Sequence, residues 1–571
     1  MNIIYIKSFG TDETIIDYIE DQESLVLKED NWNDYGYYTF FHAFLWIKNK
    51  LYKLGGVRFL FEDSTNSHIV FNQLDSEDRG KYLVLDKIEF KKKFISLGAS
   101  NEYYKRLKEL LDARALENIL VKIHDFPFLN KKYSDTLDLK LQETEGFNDS
   151  LTRDTDSSKA IKEASAIIFD DELDKDRFNF SFTFQLENFN DKHSVDFIFE
   201  DDFFPSNITT LIGKNGTGKS QTLKHLSECL QKVGVADIFS EEKLLYNTEE
   251  ALSKKPQFSK VVIISYSPFE TYYNKGASKS FSYCGLRDSN NNINKDIVVE
   301  DMKESFSKML EDDLSSYEFE HSILKIDRLY KILKTAIPFF ESIAIKIDKK
   351  LITNLKQLDY DKKIEIKDDF IIQKHFSKEF LSSCTVEDIH NFNISAKFIN
   401  EIALLDKDNK KLYLSSGQEI FMYMIFSILG KIEKESLLIF DEPESYLHPN
   451  LEITFMTLLK EILATFNSYS IVATHSLLIT RETPSKFVRV FDINRKKEPV
   501  IHEPSFETFG ANLNTICNYV FNNALEKNKP FETWLKSKID PQSDISEVLK
   551  SYKSKLNPET LMYIRNEILN D

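Results

Sequence analysis

Four cysteines in 571 residues leave no framework for disulfides or a zinc site. Cys229, Cys284, Cys384 and Cys517 are isolated, with no CxxC pair, and read as reduced, mostly buried thiols. No apolar run reaches the roughly 18 residues needed to cross a bilayer. The opening stretch, MNIIYIKSFGTDE, has neither a basic head nor a cleavable apolar segment, so the expectation is a cytoplasmic chain with no membrane partner. Basic charge is also in deficit. The 74 Lys and Arg against 92 Asp and Glu give a net charge of −18. That balance weighs against a chain coated for non-specific nucleic-acid binding but leaves room for a local basic patch. The sequence has no internal repeat and no sustained heptad pattern, which excludes solenoids and long coiled coils. What remains is a globular composition, 42% hydrophobic and 29% charged, at a length that implies two or three structural units.

The pattern along the chain suggests its organisation. Residues 1–145 read as a mixed β/α region joined to the main body of the chain. YYTFFHAFLWI (37–47) and LYKLGGVRFLF (51–61) flank a hairpin turn at Lys48–Lys50, and SNEYYKRLKELL (100–111) is an amphipathic helix capped by Ser100. Residues 146–176 are polar and mixed in charge, and are expected to be an insert or linker. Strand patterns at 178–187, 194–200 and 208–213 fall in the next stretch, 177–280. Residues 281–410 are read as a helical insertion. Helix–strand alternation across 411–500 implies a parallel sheet, and 501–571 as a helical region closes the chain.

Within this frame, ITTLIGKNGTGKSQTL places Gly213, Asn215, Gly216, Gly218, Lys219 and Ser220 in a GxxxxGK[ST] loop, with Gln221 next. A strand precedes it and an amphipathic helix succeeds it, as the phosphate loop requires. Its amides can curl around phosphates, Lys219 can reach the β and γ oxygens, and Ser220 can ligate magnesium. The expected ligands are therefore ATP and Mg2+. A second element, ESLLIFDEPESYLHP (435–449), ends an apolar strand in Asp441 and Glu442. Asp441 can hold magnesium through water, and Glu442 can polarise the attacking water. The third, SIVATHSLLI (470–479), ends a strand in Thr474, His475 and Ser476. At the carboxyl edge of a parallel sheet, His475 can address the γ-phosphate or the water. The fourth, LSSGQ (414–418), is either a helix cap built on Ser415 or Ser416, or a helix N-terminus open to an external phosphate.

In that order the four elements resemble the ATP-binding-cassette ATPases, whose signature motif LSSGQ matches. The resemblance implies an α/β fold: an ABC-type P-loop NTPase head with a mixed β N-terminal lobe and a helical insertion between phosphate loop and signature. It also implies that Ser416, Gly417 and Gln418 touch ATP held by another copy, so that the working unit is a homodimer or higher oligomer. Glu444, Leu447, His448 and Pro449 after the acidic pair resemble the RecF/Rad50/OLD-like branch. SYSPFETYY (265–273), THSLLITRETPSKFVRVF (474–491) and SFETFGANLNTICNYVF (505–521) resemble more closely the PtuA ATPases of Septu anti-phage systems, some of them retron-associated. That likeness implies a regulatory ATPase with an HNH nuclease partner of the PtuB type. Retron RNA–DNA is a further candidate contact, for which KIEFKKK (87–93) is a basic segment. A RecF- or Rad50-like DNA-repair or chromosome-maintenance ATPase is the alternative. One departure stands out. Ser267, Pro268, Phe269 and Glu270 end or succeed the strand VVIISYS, where transport ATPases have a magnesium-contacting glutamine.

Overall fold

The computed structural model describes residues 1–6, 23–29, 36–73, 82–84, 92–133, 141, 144–152, 155–171, 175–186, 189, 191–234, 251–269, 272, 280–288, 292–316, 324–347, 364–367, 370–373, 399–494, 498–521, 530–539 and 544–568. Cys384 lies outside them, as does most of KIEFKKK. Cys229 and Cys284 are buried free thiols and Cys517 is a half-buried one.

The N-terminal region is a six-stranded mixed sheet. It contains β1 (Asn2–Ile6), β2 (Ser24–Glu29), β3 (Phe40–Ile47), β4 (Lys50–Phe61), β5 (Tyr82–Val84) and β6 (Phe94–Gly98), in the order β5-β1-β2-β3-β4-β6. Lys48 and Asn49 turn β3 into β4 with φ of 51° and 57°, the left-handed pair that a two-residue hairpin needs. The helix Asn101–Leu110 packs on this sheet through Tyr103, Tyr104 and Leu107. Ser100 stands at its N-cap position but its side chain makes no capping bond, so the expected cap is positional only.

Residues 146–176 depart from the expected insert or linker. They form a short turn of helix at Phe147–Leu151 and a longer helix at Thr155–Phe169. Ala160, Ala164 and Ile168, spaced four apart, are buried in the N-terminal core. Small residues on that face let the helix lie close, while its polar residues meet partners inside the protein. Ser157 accepts from Arg58, and Glu163 accepts from Asn101 at 2.6 Å and pairs with Arg177 at 2.7 Å. Arg177 reaches across to Glu435 at 2.9 Å, and Lys159 pairs with the same carboxylate. Arg177, Glu163 and Glu435 are nearly buried, so this ion-pair chain fastens the N-terminal region to the foot of a strand in the central sheet.

That central sheet has seven strands: β9 (Ile208–Gly213), β10 (Val261–Ser265), β11 (Phe281–Gly285), β16 (Leu437–Asp441), β17 (Tyr469–Thr474), β18 (Val488–Ile493) and β19 (Pro499–His502). Their order is β11-β10-β16-β17-β9-β18-β19, and every pair is parallel except β18–β19. Both faces are covered, which explains the unbroken apolar runs in the sequence. Val262, Ile264, Leu438, Phe440 and Val472 face one core, which they share with the helices Lys295–Ser316, Lys325–Ala336 and Ser416–Lys431. Leu211, Ile263, Leu437, Ile439 and Ala473 face the other, with the helix Lys219–Gly234 and the hairpin of β7 (Phe180–Gln185) and β8 (Lys192–Phe197).

The stretch 281–410 is not helical throughout. Its first residues are β11 of the central sheet, and after the two helices come β12 (Ser342–Ile347), β13 (Ile364–Lys367), β14 (Phe370–Gln373) and β15 (Ile399–Leu405). These four form an antiparallel sheet in the order β13-β14-β12-β15. Strands such as Ile364–Lys367 and Phe370–Gln373 are too brief to show a clear period in the sequence, and β12 and β15 bury residues on both faces, Ile343, Ile345, Ile402 and Leu404 on one and Ala344, Ala403 and Leu405 on the other. The stretch 501–571 likewise opens on the end of β19 before its helices begin. No described helix is long and apolar enough to cross a membrane.

Candidate nucleotide-binding site

Strand order brings the motifs together. β17 lies between β9 and β16, so the residue after β17 stands between the phosphate loop after β9 and the carboxylates ending β16. All three strands run the same way, which puts these groups at one carboxyl edge.

The phosphate loop leaves β9 at Gly213 and enters a helix at Lys219. Gly216 and Gly218 have φ of 77° and 97°, left-handed values that a residue without Cβ adopts freely. A Cβ on Gly218 would also come within 2.7 Å of the Leu186 side chain beside the β7–β8 hairpin, so a larger residue there would have to push that leucine aside as well as adopt a left-handed φ. Asn215 and Gly216 are exposed at the loop tip, Ser220 and Gln221 half-buried in the first turn of the helix. Lys219 is buried, its Nζ donating to the carbonyls of Gly213 at 3.0 Å and Lys214 at 3.2 Å, and lying 3.0 Å from Nε2 of His475. Burial lowers its ammonium to about 8, against the upward pull of Glu442, Asp441 and Glu444.

Ser220 Oγ donates to Asp441 Oδ1 at 3.0 Å. A hydroxyl and a carboxylate side by side are hard oxygen donors of the kind magnesium takes, few in number because phosphates and water complete its shell. Ser220 and Asp441 therefore fit the ion and would hold it, and when bound it would neutralise charge on the phosphates. Among the described residues no cluster of three or more His, Cys, Asp or Glu could hold a metal by itself.

Glu442 comes next with φ 50° and ψ 56°, a left-handed conformation for a non-glycine residue, which costs of order 1–3 kcal/mol and concentrates at functional sites. Its N–H donates to the Ala473 carbonyl at 2.9 Å, and its Oε1 lies 3.0 Å from His475 Nε2. The hydrogen bond with His475 holds the Glu442 carboxyl below its usual range, with the charges of His475 and Lys219 adding to the effect. One ring nitrogen thus faces a lysine and a carboxylate together. It can accept from the first or donate to the second, never both, so a phosphate that draws off Lys219 leaves His475 to Glu442.

Two residues at the site carry no role in the sequence motifs. Tyr272, buried between β10 and β11, donates from its hydroxyl to Asp441 Oδ2 at 2.7 Å. It holds the second oxygen of the carboxylate whose first oxygen meets Ser220. It comes from the side of β10, where the sequence lacks the glutamine of transport ATPases. The available signal was a tyrosine pair in SYSPFETYY, which no spacing rule singles out. Glu444 accepts from Thr474 Oγ1 at 2.7 Å and from the His475 N–H at 2.6 Å.

LSSGQ resolves its local ambiguity. Ser415 is the N-cap of the helix Ser416–Lys431, and it forms a capping box with Gln418. Gln418 N donates to Ser415 Oγ at 3.4 Å and Ser415 N donates to Gln418 Oε1 at 3.0 Å. Ser416 is exposed. A Cβ on Gly417 would meet the Tyr446 carbonyl oxygen at 2.6 Å, so this glycine answers to close backbone approach. No hydrogen bond of Ser416, Gly417 or Gln418 reaches the phosphate loop among the described residues.

Residues 208–481 match the protein family described as "AAA domain, putative AbiEii toxin, Type IV TA system". The span contains every motif residue above, so the likeness to that family covers the whole of the candidate site. Over 571 residues, 96% of each chain, the protein is 25% identical to protein ea59 of Escherichia phage lambda. Among solved structures it aligns with an SMC head domain from Thermotoga maritima at 10% identity and a TM-score of 0.25, over 57% of this chain and 98% of that one. It aligns with an ATP-binding cassette of an ABC transporter, in its ADP conformation, at 12% identity and 0.23, over 62% and 97%. Scores this low carry no weight, and the α/β architecture stands on the strand order.

Removing the Tyr272 hydroxyl frees one oxygen of a metal-facing carboxylate. Tyr272→Phe is expected to weaken nucleotide-dependent Mn2+ binding, measured by electron paramagnetic resonance, by roughly 10-fold. Metal-free nucleotide binding should be unchanged. Equal Mn2+ affinity in the two proteins would refute the assignment.

Proposed function

We propose that this chain is an ATP hydrolase that serves as the regulatory and sensing subunit of an anti-phage defence complex, holding an HNH nuclease in check. The observation that carries the hydrolase reading is Glu442, His475 and Lys219 meeting within 3.0 Å contacts at the end of three parallel strands. Lys219 offsets charge on the β and γ phosphates. Glu442, ionised and half-shielded, accepts a hydrogen bond from the attacking water and takes its proton. His475 stabilises the oxygens that gain charge.

Asp441 and Ser220 serve the nucleotide as well, so the nuclease chemistry is assigned to a partner. The defence setting is supported by the PtuA-like phrases, by full-length similarity to a phage protein, and by a family description that includes a toxin–antitoxin system. The exposed Ser416 at a capped helix N-terminus supports a homodimer in which each signature helix completes the other chain's site.

Glu442→Gln should lower turnover by roughly 10²–10⁴-fold while ATP binding persists, whereas Lys219→Ala should weaken binding itself; near-normal turnover in Glu442→Gln would end the base assignment. Mixing Lys219→Ala chains with Ser416→Arg chains should restore about a quarter of wild-type ATPase, since half the dimers then hold one intact site. Ser416 is the residue to vary because Gly417 also packs against Tyr446. Dimers that form without any recovery would count against trans-completion. The chain alone should not cut DNA or tRNA with Mg2+, Mn2+ and ATP, and cutting should appear only with an HNH partner. Cleavage by the purified chain would refute the assignment of that chemistry elsewhere.

A further inference from the structure

Two carboxylates approach His475, and only one of them faces its ring. Glu442 meets Nε2. Glu444, two residues on in the turn Pro443–Tyr446, meets the backbone instead. Its Oε1 accepts from the His475 N–H at 2.6 Å and from Thr474 Oγ1 at 2.7 Å, while Thr474 Oγ1 accepts from the Ser476 N–H at 2.8 Å. One residue earlier, the Ala473 carbonyl accepts from Glu442 N–H at 2.9 Å. Residues 473 to 475 are therefore tied, residue by residue, to the turn that carries the acidic groups, and Ser476 is tied back to Thr474. The ring of His475 keeps only its two side-chain torsions.

We propose that Glu444 is a positioning residue for His475: its Oε1 locks the end of β17 to the acidic turn and so sets where the imidazole meets Glu442 and Lys219. The inference rests on the ATP-hydrolase reading and deepens it. What the lock uses is an acceptor oxygen, not a charge. Glu444 Oε2 is shielded from solvent and has no hydrogen-bond partner among the described residues, and burial pushes the carboxyl above its ordinary range. An amide oxygen in the same place could accept both bonds. A capping role in stability alone would make the same contacts, but it would not depend on His475 being present.

The test is steady-state ATP hydrolysis by the full-length chain, with affinity for a fluorescent ATP analogue and a thermal melt measured beside it. Glu444→Ala should lower kcat by roughly 10–100-fold while KM and analogue affinity change by no more than about 2-fold. Glu444→Gln should recover most of the lost turnover. In a His475→Ala background, Glu444→Ala should have no further effect, because the two changes remove one function. A full additional loss in that background, or wild-type kcat in Glu444→Ala, would overturn the inference while leaving the ATPase reading intact. Wild-type turnover in His475→Ala would overturn the role of His475 and this inference with it, whereas no ATP turnover by the unaltered chain would overturn the hydrolase reading itself. Should Glu444→Ala fail to fold, Thr474→Val removes one of the two donors and enters the same cycle, where additivity with His475→Ala again overturns the proposal.

Discussion

The position of β17 between β9 and β16 is the constraint on which the nucleotide site depends. Strands in a sheet lie about 4.8 Å apart, so the ends of β9 and β16 stand roughly 10 Å from each other; Ser220 crosses that gap to Asp441, and a group on the strand between them can meet both Lys219 and Glu442. His475 occupies that place because β17 ends there. Parallel direction matters equally, since it delivers all three chain ends to one edge. Burial of both faces makes the arrangement rigid, as the cores on either side leave the strands no room to slip.

The electrostatics derive from that packing. Lys219 is buried beside three carboxylates and lies against loop carbonyls. Charges at that edge are interdependent, and a ligand that takes one of them alters the balance among the rest. At the other end of β16, Arg177 and Lys159 converge on Glu435, two residues before the strand begins. A single five-residue strand thus has the N-terminal region anchored at its foot and the acidic pair at its tip.

Much of the site was legible because its chemistry demands particular residues at fixed local spacing. The loop Gly213–Ser220, the strand-borne Asp441 and Glu442, and His475 could be read from motif and context alone. The cap at Ser415 was legible as one of two readings, since a capping box is local in sequence. Tyr272 and Glu444 were not assigned roles. Each acts through contacts with a different element, 169 residues away for Tyr272 and Asp441, and 30 for Glu444 and Thr474, and no local pattern records such pairing. In the fold, the alternation of the central sheet was clear, while the helix Thr155–Phe169 was hidden by polar composition and the sheet β12–β15 by the shortness of strands such as Ile364–Lys367 and Phe370–Gln373.

The approach of Gly417 to the Tyr446 carbonyl carries a consequence for how variants of the signature stretch should be understood. With 2.6 Å between that oxygen and where a methyl would sit, the space works as a gauge with almost no tolerance. Any side chain at position 417 must push the acidic turn, the helix start, or both. A defect seen on replacing this glycine therefore confounds lost contact with a neighbour's nucleotide and a distorted site within the same chain. Ser416, one residue earlier and facing solvent, separates those two effects.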